Sequence, residues 1–193
     1  MGEPAMPRHT VRAGKQLRRT VRRSLRTGAL AAAGIFCLIV AAAAQSPGGG
    51  MWVDASDGAV PPGAVLGGQE APPGSEPLFV CHAYYENSLQ PGKVRPGLGA
   101  CNIPYGGKEV ILKQYQVLVG GSYGWTQATG GYIPPNAVQG GNDVPPQTLP
   151  LYICNAGYNG GIHPGKIRSG FSGCDIPWGG QEIYVPAYQV LVH

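Results

Sequence analysis

The chain has 193 residues, room for one domain or two very small ones. Gly (32) and Pro (19) disfavour a helical bundle, while 43% hydrophobic content and ten tyrosines exclude a disordered chain. The formal charge of +4 is unevenly placed: from Gln45 onward six basic residues face nine acids, and six minus nine leaves −3, which excludes an electrostatic footprint for nucleic acid.

The other eight basic residues lie within the first 26 positions and lead straight into the uncharged run Gly28 to Ala44. A basic n-region, an apolar stretch and the Ala42-x-Ala44 pattern before Gln45 predict a secretory signal peptide over 1–44, cut after Ala44. Two alternatives share the pattern. An uncleaved anchor would hold the arginines in the cytoplasm, giving a type II membrane-anchored or vesicular protein, and only then would the chain meet a membrane. A mitochondrial presequence fits the long uncharged run poorly. All three place the body outside the cytosol.

Residues 45–51 form a Gly-rich lead-in to a duplication with a period of 73 residues. The segment 52–119 maps onto 125–192 without a gap, and about 32 of the 68 positions are identical. Residues 120–124 are a short linker, and the second repeat runs over 125–193. Within each repeat LFVCHAYY (78–85) and LYICNAGY (151–158) read as strands, as does the closing KQYQVLV (113–119). The turn signals between them are Pro61-Pro62-Gly63, Pro91-Gly92 and Gly106-Gly107, with their partners 73 residues on. A unit of about 70 residues is marginal alone. The expected fold is therefore all-β: two tandem pseudo-symmetric antiparallel units packed into one compact body behind the N-terminal segment.

Cys37 lies in the leader, so the mature chain carries four cysteines in two copies of one spacing. Outside the cytosol an even count implies disulfides. Symmetry allows all three connectivities. Pairing within each repeat, Cys81 with Cys101 and Cys154 with Cys174, is favoured because a Pro-Gly turn between the partners would lay the flanking strands side by side.

Catalytic machinery is not apparent. The chain has no G-x-S-x-G elbow, H-E-x-x-H or P-loop, and no C-x-x-C spacing for zinc or redox work. His82, His163 and His193 lack a metal-ligand partner at suitable spacing, and lone histidines are more often solvated or packed. An enzyme is not expected, nor a metal or cofactor. What recurs is an acid and an amine on Gly-rich turns: Glu70 with Lys93, Asp143 with Lys166. A carboxylate accepts from vicinal hydroxyls and an ammonium donates three hydrogen bonds, a combination suited to a neutral polyol. The competing account is a surface salt bridge worth about 0–1 kcal/mol.

The order WV (52–53), PPGAV-x-GG (61–68), LFV (78–80), PGK (91–93), IPYGGKE (103–109) and YQVLV (115–119), given twice, resembles the DM-nine repeat family. That family comprises secreted or vesicular proteins and includes the N-terminal part of some natterin-like toxins. The resemblance implies two pseudo-symmetric β units and mannose binding of the kind seen in innate-defence lectins. It further implies that an Asp after the A-x-x-x-G block and the Lys of PGK hold the sugar. By position these are Glu70 and Lys93, then Asp143 and Lys166. Repeat one departs in having Glu for Asp, and Pro72-Pro73 and Pro145-Pro146 stiffen both loops, so repeat two is the better match.

Glu109 and Glu182 are expected to cap backbone N–H groups of the GG-x-E turn. Trp52 and Trp125 are expected in the core, and Trp178 is the tryptophan most suited to a ligand contact. Arg95 and Arg168 are expected to face away from the lysines into solvent. The expected protein is thus a secreted, disulfide-bonded lectin with one shallow site for mannose-type glycans per repeat, and a homodimer would present four. The alternative is a non-catalytic structural or interaction module of the secretory or extracellular space.

Overall fold

The computed structural model describes residues 49–193, and the expected signal or anchor segment lies outside them. Both repeats belong to one compact unit. It is built from fourteen strands and contains no helix among the described residues, hence none long and apolar enough to cross a membrane. Repeat one supplies β1 (Gly50–Ser56), β2 (Leu66–Gln69), β3 (Pro77–Tyr85), β4 (Ser88–Val94), β5 (Cys101–Tyr105), β6 (Lys108–Leu112) and β7 (Gln114–Gly120). Repeat two returns them as β8 (Gly124–Thr129), β9 (Gln139–Asn142), β10 (Pro150–Tyr158), β11 (Gly161–Ile167), β12 (Cys174–Trp178), β13 (Gln181–Val185) and β14 (Ala187–Val192).

The repeats are laced together. β2 crosses to pair with β11 at Ile162↔Gln69, β9 crosses to pair with β4 at Leu89↔Asn142, and β6 meets β13 at Gln181↔Lys108. With β4 returning onto β3, the strands β3-β2-β11-β12-β13-β6-β5-β4 close an eight-stranded barrel, and the other strands extend the sheet from it. The GG pairs of the sequence permit the crossings. A Cβ on Gly68 would run into the Ile162 carbonyl oxygen, and one on Gly141 into that of Leu89, so only glycine admits the neighbouring strand.

Three apolar clusters fill the body. One lies within each repeat. The third joins Trp52, Val80 and Leu118 of the first to Val138, Ile153 and Leu191 of the second, with Trp125 packed against it. Both repeat-opening tryptophans therefore serve packing, as expected. Burying this shared face is what a 70-residue unit cannot do alone.

Two of the three turn signals stand as turns: Ala64 N–H donates to Pro61 O (3.3 Å), and Gly106-Gly107 joins β5 to β6. Pro91-Gly92 does not. It lies in the middle of β4, buried, with Pro91 opposite His82 and Gly92 opposite Cys81. Gly92 is required there because a Cβ would meet the carbonyl oxygen of Asn102 on β5. The hairpin turn sits instead at Glu86-Asn87, both at positive φ, and at Asn159-Gly160 in repeat two. That Asn-Gly pair is the stronger hairpin signal.

The disulfides join Cys81 to Cys101 and Cys154 to Cys174. The within-repeat pairing is as expected, but its geometric basis differs: each bond links β3 to β5, or β10 to β12, two strands that both pair with the PGK strand of their own repeat. Each bond closes a separation of 20 residues. Replacing Cys81 and Cys101 together by alanine is expected to lower stability by about 3 kcal/mol. Urea unfolding would show it, and a loss under about 1 kcal/mol would contradict a loop-closure origin.

Candidate functional site

The acid–lysine pairs of the two repeats lie in two pseudo-symmetric clusters at the seam between repeats. Lys93 on β4 and Lys166 on β11 are placed by the close strand crossings at Gly92 and Gly165, where a Cβ would run into the Asn102 and Asp175 carbonyls. Both are strand residues, not turn residues, and their side chains are only 4% and 6% exposed. The acids ride on loops that close on themselves: Glu70 N–H donates to Glu76 O (2.9 Å) and Asp143 N–H to Leu149 O (2.8 Å).

In the second cluster the Lys166 ammonium donates to Gln90 Oε1 (2.8 Å) and Pro104 O (2.5 Å) and pairs with Glu182 Oε1 at 3.3 Å. The Tyr105 ring stands 5.3 Å away. Gln90, Pro104 and Tyr105 all belong to repeat one. In the first cluster Lys93 donates to His163 Nδ1 (3.3 Å), contributed by repeat two, and lies 3.9 Å from Glu109 Oε1. Glu109 Oε1 also accepts from Asn102 Nδ2 (2.7 Å). The corresponding neighbour in the second cluster is the carboxyl Asp175.

Glu109 and Glu182 do cap turn N–H groups, but each caps the sister repeat's turn. Glu109 Oε2 accepts from Gly180 N–H (2.8 Å) and Glu182 Oε2 from Gly107 N–H (2.7 Å). Each therefore holds a lysine and a foreign turn at once.

The arginines overturn the expectation of a solvated opposite face. Arg168 Nε lies 2.8 Å from Asp143 Oδ2, with its guanidinium over the Phe171 ring at 4.2 Å. Arg95 holds Glu70 (3.4 Å) and Glu76 (2.6 Å). Residues two apart in an extended chain share a face, so Lys93 and Arg95 approach the same acid. Trp178 packs edge-on against Tyr158 with ring centroids 5.3 Å apart.

Burial lowers the pKa of both lysines, offset in part by Glu109 and Glu70 for Lys93 and by Glu182 for Lys166. Asp143 also acts on Lys166, which places acid and amine in one electrostatic environment. The His163 pKa falls through burial and the adjacent Lys93. Asp175 moves the other way, raised to about 6 by burial and by Glu182. Burial disfavours charge, and the nearest like charge adds to it. No group of three or more His, Cys, Asp or Glu suited to a metal ion occurs among the described residues.

The arrangement is a mixed donor–acceptor surface: a carboxylate and a guanidinium at the rim, with a lysine amine and a second carboxylate beneath. It can hydrogen-bond a polar, uncharged partner.

Solved structures with a similar fold include the nematode sperm cell motility protein MFP2B, at a TM-score of 0.56 and 17% identity. The match covers 74% of this chain and 46% of that one, and at this identity it concerns the fold alone. Among curated proteins none matches the chain by sequence. The family model for the DM9 repeat matches residues 72–185, a span running from the loop after Glu70 through the PGK strands of both repeats. The chain belongs to the DM9 repeat family.

Proposed function

We propose that this protein is a secreted lectin, of the type found at the N-terminus of natterin-like proteins, which binds mannose-type glycans at two clusters. The acids Glu70 and Asp143 accept from sugar hydroxyls, and Lys93, Lys166 and the rim arginines donate. One observation carries this reading. In each cluster a carboxylate only about a quarter exposed (24% for Glu70, 23% for Asp143) is held by an arginine and acts electrostatically on a buried lysine, so acceptors and donors belong to one local cluster. The two disulfides fit an extracellular address, and innate defence is the role the family resemblance suggests.

Donor capacity ranks the clusters in the reverse of the order expected from sequence. Three protein acceptors already take up the three protons of Lys166, so a sugar must displace one of them there, whereas Lys93 donates to His163 and stands long from Glu109. The first cluster therefore has more to offer a ligand, despite Glu70. On mannose-agarose the full chain should be retained, and Glu70→Gln should weaken binding more than Asp143→Asn. A single hexose contact of this kind is worth about 4 kcal/mol, a millimolar constant. Wild-type retention by the double variant would sink the assignment.

A second reading is that the clusters lock the repeats and the protein is a structural or interaction module. The crossed caps of Glu109 on Gly180 and Glu182 on Gly107 favour it. It predicts altered stability for the same variants and no dependence on glycans.

A further inference from the structure

A groove of about 510 Å³ opens on the outer face of repeat one, between β1, β3 and β7, and shares no lining residue with the lysine clusters. That volume lies within the range of ligand clefts, about 300–1,000 Å³. Its lining includes Asp54, Ser56, His82, Tyr84, Gln114 and Gln116, with Tyr115 buried beside them. Polar contacts line it from below: His82 Nδ1–H donates to Gly140 O (2.6 Å), its Nε2 lies 2.8 Å from Gln116 Oε1, and Gln116 Nε2 donates to Asp54 Oδ1 (2.7 Å). Trp52 stacks on His82 at 3.6 Å and 12°, so the imidazole cannot swing. Above this base the Tyr84 ring stands 68% exposed.

The duplication supplies an internal control. The equivalent groove of repeat two has about 200 Å³ and lies over the corresponding strands β8, β10 and β14. There the structural parts recur: Gln189 stands for Gln116, and Asn155 Nδ2 donates to Gly67 O (2.7 Å) as His82 does to Gly140 O. The recognition groups do not recur. Asp54 is replaced by Gln127, Tyr84 by Gly157 and Gln114 by Ala187. The fold is satisfied without a carboxylate or an exposed ring at this place, whereas repeat one carries both around one opening.

We infer that this groove is a second ligand site, for a neutral sugar ring, with the ring's C–H face on Tyr84 and adjacent hydroxyls on Asp54 and Gln114. An exposed aromatic plane takes the apolar face of a pyranose, a carboxylate accepts from two vicinal hydroxyls, and an amide both donates and accepts. The lining has no lysine or arginine to receive an anion. It also has a single exposed aromatic ring, whereas a quaternary ammonium is held by a cage of several. Among the described residues Asp54 makes no ion pair, so its charge is not already spent on a cation.

Saturation-transfer NMR on the full chain with free D-mannose, D-galactose, D-glucose and N-acetyl-D-glucosamine tests this. At least one sugar should bind saturably with a millimolar constant; Tyr84→Ala and Asp54→Asn should each weaken it at least about tenfold, while Tyr84→Phe should not. The exposed position of Tyr84 lets its variants fold, which a thermal melt verifies. If wild type binds none of the four sugars, or if Tyr84→Ala and Asp54→Asn titrate like wild type, the groove is not a sugar site. The site stands apart from the lysine-cluster reading. Loss confined to Glu70→Gln/Asp143→Asn removes the groove and keeps the clusters, and loss confined to Tyr84→Ala does the reverse.

Discussion

Replacing Glu182 by alanine is expected to lower stability by about 3 kcal/mol, near the lower end of the cost of stranding one partner of a buried ion pair. The carboxylate serves two groups, the Lys166 ammonium at 3.3 Å and the Gly107 N–H at 2.7 Å. Without it the ammonium, 6% exposed, keeps the neutral acceptors Gln90 and Pro104 O and only the weaker influence of the Asp175 and Asp143 charges. The neutral acceptors satisfy hydrogen bonds but do not offset a desolvated charge. Glu182 is itself 16% exposed, so water can partly replace it, which keeps the loss from the upper end of the range. Adding Lys166→Met to Glu182→Ala removes the stranded charge and should recover most of the loss, leaving about 1 kcal/mol for the uncapped turn. Urea unfolding of the two singles and the double measures the coupling. Equal stability of the Glu182→Ala single and the double would show that the ammonium is not effectively buried.

Replacing Asp175 by asparagine is expected to stabilise the protein at neutral pH and to leave it unchanged in acid. The folded-state pKa of Asp175 is raised from 3.8 to about 6, by burial first and by Glu182 second. Between these values the folded chain holds a proton that the unfolded chain has released. The associated stability is present below about pH 4 and is lost as pH rises through about 6. Asparagine has no proton to lose. The sister repeat already shows the result, since Asn102 occupies this position and donates to Glu109 at 2.7 Å. Discounted for partial exposure, the gain at pH 7 should be about 1–2 kcal/mol. His82 and His163 act in the opposite sense. Burial lowers both pKa values, so their contribution is complete above about pH 6.5 and falls away in acid. Wild-type stability therefore carries two opposed slopes, of which Asp175→Asn removes one and leaves that of the histidines. Urea midpoints measured between about pH 4 and pH 8 would reveal it, and parallel profiles would contradict the assignment of Asp175.

Much of the architecture was legible in the residues because it is local. The 73-residue period announced two equal units, β-branched and aromatic runs marked strands, and Cys81 with Cys101 gave a repeated spacing. What escaped is what depends on the other repeat. Nothing near His163 says that its ring receives the Lys93 amine, nor anything near Glu182 that it caps Gly107. A period lines residues up with their copies; it does not say that copies exchange partners. Pro91-Gly92 was misread because the same pair that starts a turn also suits a strand pressed against a neighbouring carbonyl. The arginines could have been placed from sequence. Alternation in an extended strand puts Arg95 on the face of Lys93, within reach of Glu70.

The lacing of β2 with β11 and β9 with β4 makes each half the template on which the other closes. Together with the crossed contacts of Glu109 and Glu182, it gives the chain the bonding pattern of a two-fold homodimer whose subunits have been tied end to end. A change in one half is therefore felt as a partner's change in the other.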